Sequence, residues 1–252
     1  TPVSGTELTL FRMLYTHYKP LADTLYYEVL DRPLVEIETK RKLSLHLHSL
    51  TGERESTLDL YVEHAATVAD VLNELRDTLA ARADADVPAG FDGPLRMLEV
   101  SRLAKIVRLF DEGDPVHLIP HYAIVRVEPV PADEIDVPAG SKAMFFNHFV
   151  KSIHHTFGTP FMMYLRPGEP VADLKARVKA RFAIPDEDFA AWKFYLVSFS
   201  SPKTLDDAYI LNRHKFFNSD YIGIRHANKK VEDIRATPTS TRSSGHSIKI
   251  YN

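Results

Sequence analysis

Leu43-Ser44-Leu45-His46-Leu47-His48 alternates apolar and polar side chains with a period of two, which marks a strand with one buried face. Thr51-Gly52-Glu53 reads as a turn, and Thr57 to Val62 as a second strand with Leu58, Leu60 and Val62 on one side. The period then changes. Val68, Val71, Leu72, Leu75 and Leu79 recur at helical spacing. Thr67 stands in front of them as N-cap, with Asp70 at the capping-box position. Asp84 to Pro94 is expected as loop, and Leu95 to Val100, Lys105 to Leu109 and Ala123 to Val127 as short strands.

Val68-Ala69-Asp70-Val71 has an echo in Val171-Ala172-Asp173-Leu174. The helix dipole favours an acid in a first helical turn anyway, so the tetrapeptide is weak evidence by itself. Its flanks decide. Met144 to Val150 and Phe161 to Leu165 read as paired strands around a turn and are followed by Pro167-Gly168. Pro170 suits the first turn of a helix whose stripe is Val171, Leu174, Val178 and Phe182. Phe194 to Val197 and Tyr221 to Ile224 supply later strands.

Strand, turn, strand, helix, shorter strands is the order of a β-grasp domain, in which a mixed sheet wraps one helix. The fold class expected is therefore α+β, with two tandem ubiquitin-like β-grasp domains and a flexible C-terminal tail. Residues 24–132 form the first domain and 133–235 the second. Residues 1–23, with Leu10, Leu14 and Tyr18 at helix-like spacing, read as the end of a preceding domain or a connecting helix. Pro129 to Gly140 reads as a linker, and residues 236–252 as the tail.

Composition narrows the function classes. The chain has 252 residues, 44 % of them hydrophobic, enough for one large or two small cores. A net charge of −3 gives no polycationic character, so no nucleic-acid partner is expected. No run of about 18 apolar residues exists, so no membrane partner is expected either. The absence of cysteine excludes disulfides, thiolate metal sites and cysteine nucleophiles within these residues. A start at Thr1-Pro2-Val3-Ser4 suggests a piece of a longer protein, and an end without Gly-Gly argues against a conjugated modifier.

The 12 histidines are the first place to look for chemistry. His46 and His48 share a strand face and would need a third ligand to hold zinc; a solvated polar face is the simpler reading. His154-His155 reads as loop. Asp206-Asp207, near Tyr209, reads as a solvated surface pair, and Arg102, Lys105 and Arg108 as charges that protect a strand edge. No phosphate loop, dinucleotide fingerprint or Gly-x-Ser-x-Gly occurs. No catalytic, metal or cofactor residue is expected, and no cofactor. The tail differs. Thr237 to Ser247 is dominated by Thr, Ser, Pro and Gly, and then Ile248 and Ile250 flank Lys249, with Tyr251 beyond. Extended, the two isoleucines share one face, and burying each would contribute roughly 1.5–3 kcal/mol. A strand-like docking peptide, a last strand on the tail's own domain and an unstructured end all remain open.

Several stretches resemble the C-terminal part of the herpesvirus-associated ubiquitin-specific protease family. They are Leu25-Tyr26-Tyr27, Leu95 to Val100, Thr156-Phe157-Gly158-Thr159-Pro160-Phe161, Trp192-Lys193-Phe194, Ile222-Gly223-Ile224 and Ile248-Lys249-Ile250-Tyr251-Asn252. The resemblance implies the fourth and fifth ubiquitin-like domains of a deubiquitinase, plus its activating tail. It implies a partner, the catalytic domain of that protease, on which Ile248, Ile250 and Tyr251 dock. It also implies protein substrates or adaptors as further partners, and a place in nucleus and cytoplasm. Asp84 to Asp92 and Ser198 to Asn218 depart from the family pattern.

Overall fold

The structure, a computed structural model, describes residues 34–51, 55–81, 87–101 and 105–227. The chain divides into two compact units, residues 1–40 and 41–252. The described part of the first carries a short helix, α1 (Leu34–Thr39). Among the described residues, the remainder is built on two five-stranded sheets.

The first sheet contains β1 (Lys40–His48), β2 (Glu55–Glu63), β3 (Leu95–Val100), β4 (Ile106–Leu109) and β5 (Ile124–Pro129) in the order β2-β1-β5-β3-β4. β1 and β5 run parallel, with Leu45 opposite Val125. Helix α2 (Val68–Ala81) lies on one face. The alternating leucines are what seat it: Leu43, Leu45, Leu47, Leu58, Leu60 and Val62 share a core with Val68, Val71, Leu72 and Leu75.

The second sheet contains β6 (Lys142–Phe149), β7 (Thr156–Leu165), β8 (Lys193–Ser198), β9 (Ser201–Thr204) and β10 (Tyr221–Arg225) in the order β7-β6-β10-β8-β9. Within each half both sheets read second, first, fifth, third, fourth, and in both the first and last strands are parallel. Helix α3 (Val171–Arg181) covers this sheet, and a short α4 (Asp186–Phe189) follows. The core is more aromatic here: Phe146 and Phe161 stack with centroids 4.7 Å apart. At Gly223 in the central strand an added Cβ would lie 2.9 Å from the Phe149 ring, so the glycine makes room for that side chain.

The repeated tetrapeptides sit at one structural junction. Val68 N–H donates to the Asp114 carbonyl at 3.0 Å and Ala69 N–H to Glu112 at 2.9 Å. Val171 N–H donates to Tyr209 at 2.9 Å and Ala172 N–H to Asp207 at 3.0 Å. Each helix therefore hands its first free donors to the loop before the last strand of its own sheet. The capping differs. Thr67 and Asp70 form the expected reciprocal box, with both Thr67 donors 2.8 Å from the Asp70 carboxylate. These bonds hold that carboxyl below its usual range. Pro170 is itself the N-cap of α3, one place earlier than the sequence suggests, and has no side-chain cap bond.

Three further differences have local causes. β7 begins at Thr156, before Pro160, and Pro160 is tolerated because β7 is an edge strand. β9 carries no apolar alternation and is exposed throughout, and the Phe199-Ser200 turn before it lacks the usual turn residues, so the sequence does not mark it. Pro129 to Gly140 connects the sheets without standing clear of them: Glu134, in a turn of 3-10 helix over Ala132–Glu134, is buried.

Candidate functional site

Ile248, Ile250 and Tyr251 lie outside the described residues, as do residues 1–23 and 236–252. Two features stand out among the described residues: the aromatic side chains around His226, and the seam between the sheets.

His226 follows β10 directly and its N–H donates to the Phe149 carbonyl at 3.2 Å. Its ring stacks on Trp192 with centroids 4.0 Å apart and 12° between planes. His148, on β6, meets it ring to ring, Nδ1 to Nε2 at 2.9 Å, one nitrogen donating and the other accepting. Phe157, Phe161, Phe182 and Trp192 surround His148. Burial among these rings, and then His226, lowers its pKa from 6.5 to about 3. Burial also lowers the pKa of His226 from its ordinary value, so both rings are neutral near pH 7. Trp192, half-buried, closes this aromatic box where β10 ends.

The seam is built from charge. Arg96 on β3 and Arg126 and Glu128 on β5 alternate with the core residues Leu95, Met97, Val125 and Val127, so they point to the opposite face. Polar residues in that alternation ordinarily mark a solvent face; here all three are buried. Arg96 donates Nε at 2.8 Å and Nη2 at 2.6 Å to Glu128, and Nη1 at 2.6 Å to Glu134. Arg126 Nη2 lies 2.7 Å from the other Glu128 oxygen.

The arginines also cap the β7 edge. Arg126 donates to the Pro160 carbonyl at 2.7 Å. Met162 O accepts from Arg96 at 3.1 Å and from Arg181 at 2.7 Å. Tyr164 O accepts from Arg177 at 3.0 Å, and Tyr164 N–H donates to Glu134 at 3.2 Å. Leu98, Ile106 and Met162 close the apolar side.

Burial works against charge at Glu128, but Arg126, Arg96 and Arg181 outweigh it and hold the carboxyl below its usual range. Burial likewise opposes the Arg96 charge, and Glu128 and Glu134 raise its pKa in spite of that. Such a network fixes geometry more than it adds net stability. Its carboxylates are engaged by arginines, and its chemistry is that of a brace.

The other sequence candidates are structural. His46 and His48 both approach one Glu55 oxygen, at 3.0 and 3.4 Å. Asp207 pairs with Lys175 at 2.5 Å, and Asp206 accepts from Ala208 N–H at 3.0 Å. His154 and His155 lie in an exposed turn. Arg108 pairs with Glu99 at 3.1 Å, while Lys105 sits 4.8 Å above the Tyr221 ring of the second sheet. Arg102 lies outside the described residues. Sequence reasoning passes over Arg96, Arg126, Glu128, Glu134 and Arg181; the one local sign is like spacing of charge on two neighbouring strands.

Residues 24–231 match the family described as ubiquitin-specific protease C-terminal. The chain is 29 % identical to ubiquitin C-terminal hydrolase 12 of Arabidopsis thaliana over 252 aligned residues, covering 95 % of this chain and 22 % of the relative. It is 25 % identical to ubiquitin carboxyl-terminal hydrolase 7 of Drosophila melanogaster over 244 residues, covering 90 % and 20 %. With ubiquitin carboxyl-terminal hydrolase 15 of Schizosaccharomyces pombe it shares 27 % over 218 residues, covering 84 % and 18 %. The chain spans about a fifth of the length of these curated relatives.

Proposed function

The chain belongs to the ubiquitin-specific protease C-terminal family, and from that membership we propose that it is the non-catalytic regulatory part of a deubiquitinating cysteine protease. The family match over residues 24–231 carries the reading. The relatives' names, all ubiquitin hydrolases, support it.

The finer reading follows the resemblance to the herpesvirus-associated enzyme. Residues 24–132 and 133–235 are its fourth and fifth ubiquitin-like β-grasp domains, a reading supported by the shared strand order and the shared helix junction. Residues 236–252 are the activating tail, and Ile248, Ile250 and Tyr251 dock on the catalytic domain. The complete protein works in nucleus and cytoplasm on protein substrates.

The physics is a population shift. A tail that binds only the active arrangement enriches it by its differential affinity and no more. Tethering supplies an effective concentration on the order of millimolar, so docking by two isoleucines and a tyrosine is enough. The braced seam supports this: it fixes the second sheet, whose β10 is the last described strand before the tail.

Ubiquitin-AMC hydrolysis by the catalytic domain, with this chain added in trans, tests the proposal. Turnover rises as the chain is titrated to high concentration. Ile248→Ala with Ile250→Ala abolishes the rise and leaves the far-UV circular dichroism unchanged. Unchanged activation by the double variant overturns the docking.

A second reading, a scaffold that recruits partner proteins, is favoured by an exposed aromatic pair, Phe199 and Phe217. Deleting residues 236–252 separates the two: activation is lost while partner binding persists.

A further inference from the structure

Phe199 and Ser200 form the whole turn between β8 and β9, since Ser198 and Ser201 are its closing pair. Both have positive φ, 47° and 62°. Two-residue turns with that backbone take Asn and Gly, because a side chain crowds the left-handed conformation. A phenylalanine is badly suited to the first place, and this one joins no core cluster: it is 73 % exposed. It packs edge to face on Phe217, itself 51 % exposed, with centroids 4.8 Å apart and 61° between planes. Phe217 is held in place by its N–H, 3.0 Å from the carboxylate of buried Asp220. A strained turn that keeps a large apolar ring in water indicates selection for something other than folding.

The exposed charge on the strand and loop that flank the pair is mainly basic. Lys203, Arg213 and Lys215 are exposed, whereas of the neighbouring acids Asp207 is paired with Lys175 and Asp220 is buried, which leaves Asp206 as the exposed acid. A groove of about 470 Å³ is lined by Tyr209, Arg213, His214 and Lys215 in the loop that leads to Phe217. A partner cannot simply add a strand to β9. Pro202, opposite Val197 next to the closing pair, leaves that edge without one of its donors. Docking there must use side chains.

We propose that the β8–β9 tip and the adjoining groove bind an acidic segment of a partner protein. An apolar anchor of that segment packs on Phe199 and Phe217, and its carboxylates face Lys203, Arg213 and Lys215. A nucleic acid fits less well, because the chain's net charge is −3 and gives no polycationic face for a phosphate backbone. The proposal does not depend on the tail.

The test is a titration of the ¹⁵N-labelled full chain with a ten-residue peptide of Asp and Glu around a central Leu-Phe. Its Asn/Gln counterpart and a ten-residue oligouridine are run in parallel. The acidic peptide should shift amides at 198–204 and 209–219 and bind at least tenfold more tightly than the other two. Phe199→Asn should weaken it tenfold or more while thermal stability holds or rises by about 2 °C, because Asn suits the turn. Lys203→Glu with Lys215→Glu should do the same to binding. Equal binding of the neutral peptide, tighter binding of the oligouridine, shifts elsewhere, or a marked loss of stability in Phe199→Asn would each overturn it.

Discussion

The two sheets share a strand order but not the fate of their fourth strands. β4 turns Ile106 onto Met162 of the other sheet, and Lys105 just before it covers Tyr221. β9 holds the same place in the second sheet and is exposed along its length. Each sheet has two edge strands, β2 and β4 in the first and β7 and β9 in the second. β4 joins the internal seam, where it faces β7 of the other sheet; β9 is guarded by Pro202 and carries Phe199 at its tip. Equivalent strands thus serve different ends, one holding the pair together and the other facing outward.

The largest break in that comparison is at the seam. Glu128→Ala leaves Arg96 and Arg126 buried without their shared carboxylate and removes the nearby countercharge of Arg181, and removing one member of such a network costs about 3–5 kcal/mol. Urea unfolding followed by circular dichroism should show it as a lower midpoint. Lys175→Ala, which removes an ion pair whose Asp207 is 68 % exposed, should cost under about 1 kcal/mol. Similar losses from the two variants would mean that the seam is no brace.

The next difference is protonic. The second sheet buries His148 against His226, whereas His46 and His48 in the first reach a half-exposed Glu55. His148 has a folded pKa of about 3 against 6.5 in an open chain, so below pH 6.5 the unfolded state binds the extra proton. Stability is therefore full above pH 6.5 and is lost progressively as pH falls toward 3. Linkage gives a loss of about 2 kcal/mol between pH 7.5 and 5 from this group. Thermal melts across that range should show the slope, and His148→Phe should flatten it. An unchanged slope in the variant would place the pH sensitivity elsewhere.

Much of the fold can be read from the chain because burial on one face leaves a period. Leu43, Leu45 and Leu47, or Val171, Leu174 and Val178, each declare an element and its inner side. The seam leaves no such mark. Arg96 and Glu128 alternate with apolar residues as solvent-facing charges do, and only the second sheet, distant in sequence, turns them into buried partners. β9 is silent for another reason: Ser201-Pro202-Lys203-Thr204 buries nothing, and its pairing is set by a turn whose Phe199 contradicts the usual turn chemistry. The residues proposed to dock, Ile248, Ile250 and Tyr251, were legible only as apolar side chains beyond a polar stretch and through a family resemblance.

The smallest difference lies in the helix starts. Both helices give their first donors to a loop carbonyl, but only α2 adds a side-chain cap, through Thr67. Thr67→Ala removes that cap and should cost about 1 kcal/mol. Pro170→Ala removes no hydrogen bond, since proline has no N–H and the Pro170 carbonyl that accepts from Asp173 and Leu174 is kept. What it changes is the entropy of the unfolded chain, which proline restricts, so a loss of roughly 0.4–1 kcal/mol is expected. The two variants should therefore be nearly equal in urea midpoint yet differ in origin. Amide exchange distinguishes them: Thr67→Ala speeds exchange at the Asp70 N–H, which loses its bond to the threonine hydroxyl, whereas Pro170→Ala leaves local protection at Asp173 and Leu174 in place. Selective loss of protection at Asp173 in Pro170→Ala would mean that proline itself orders the start of α3, and that the two helix starts are less alike than their shared loop contacts suggest.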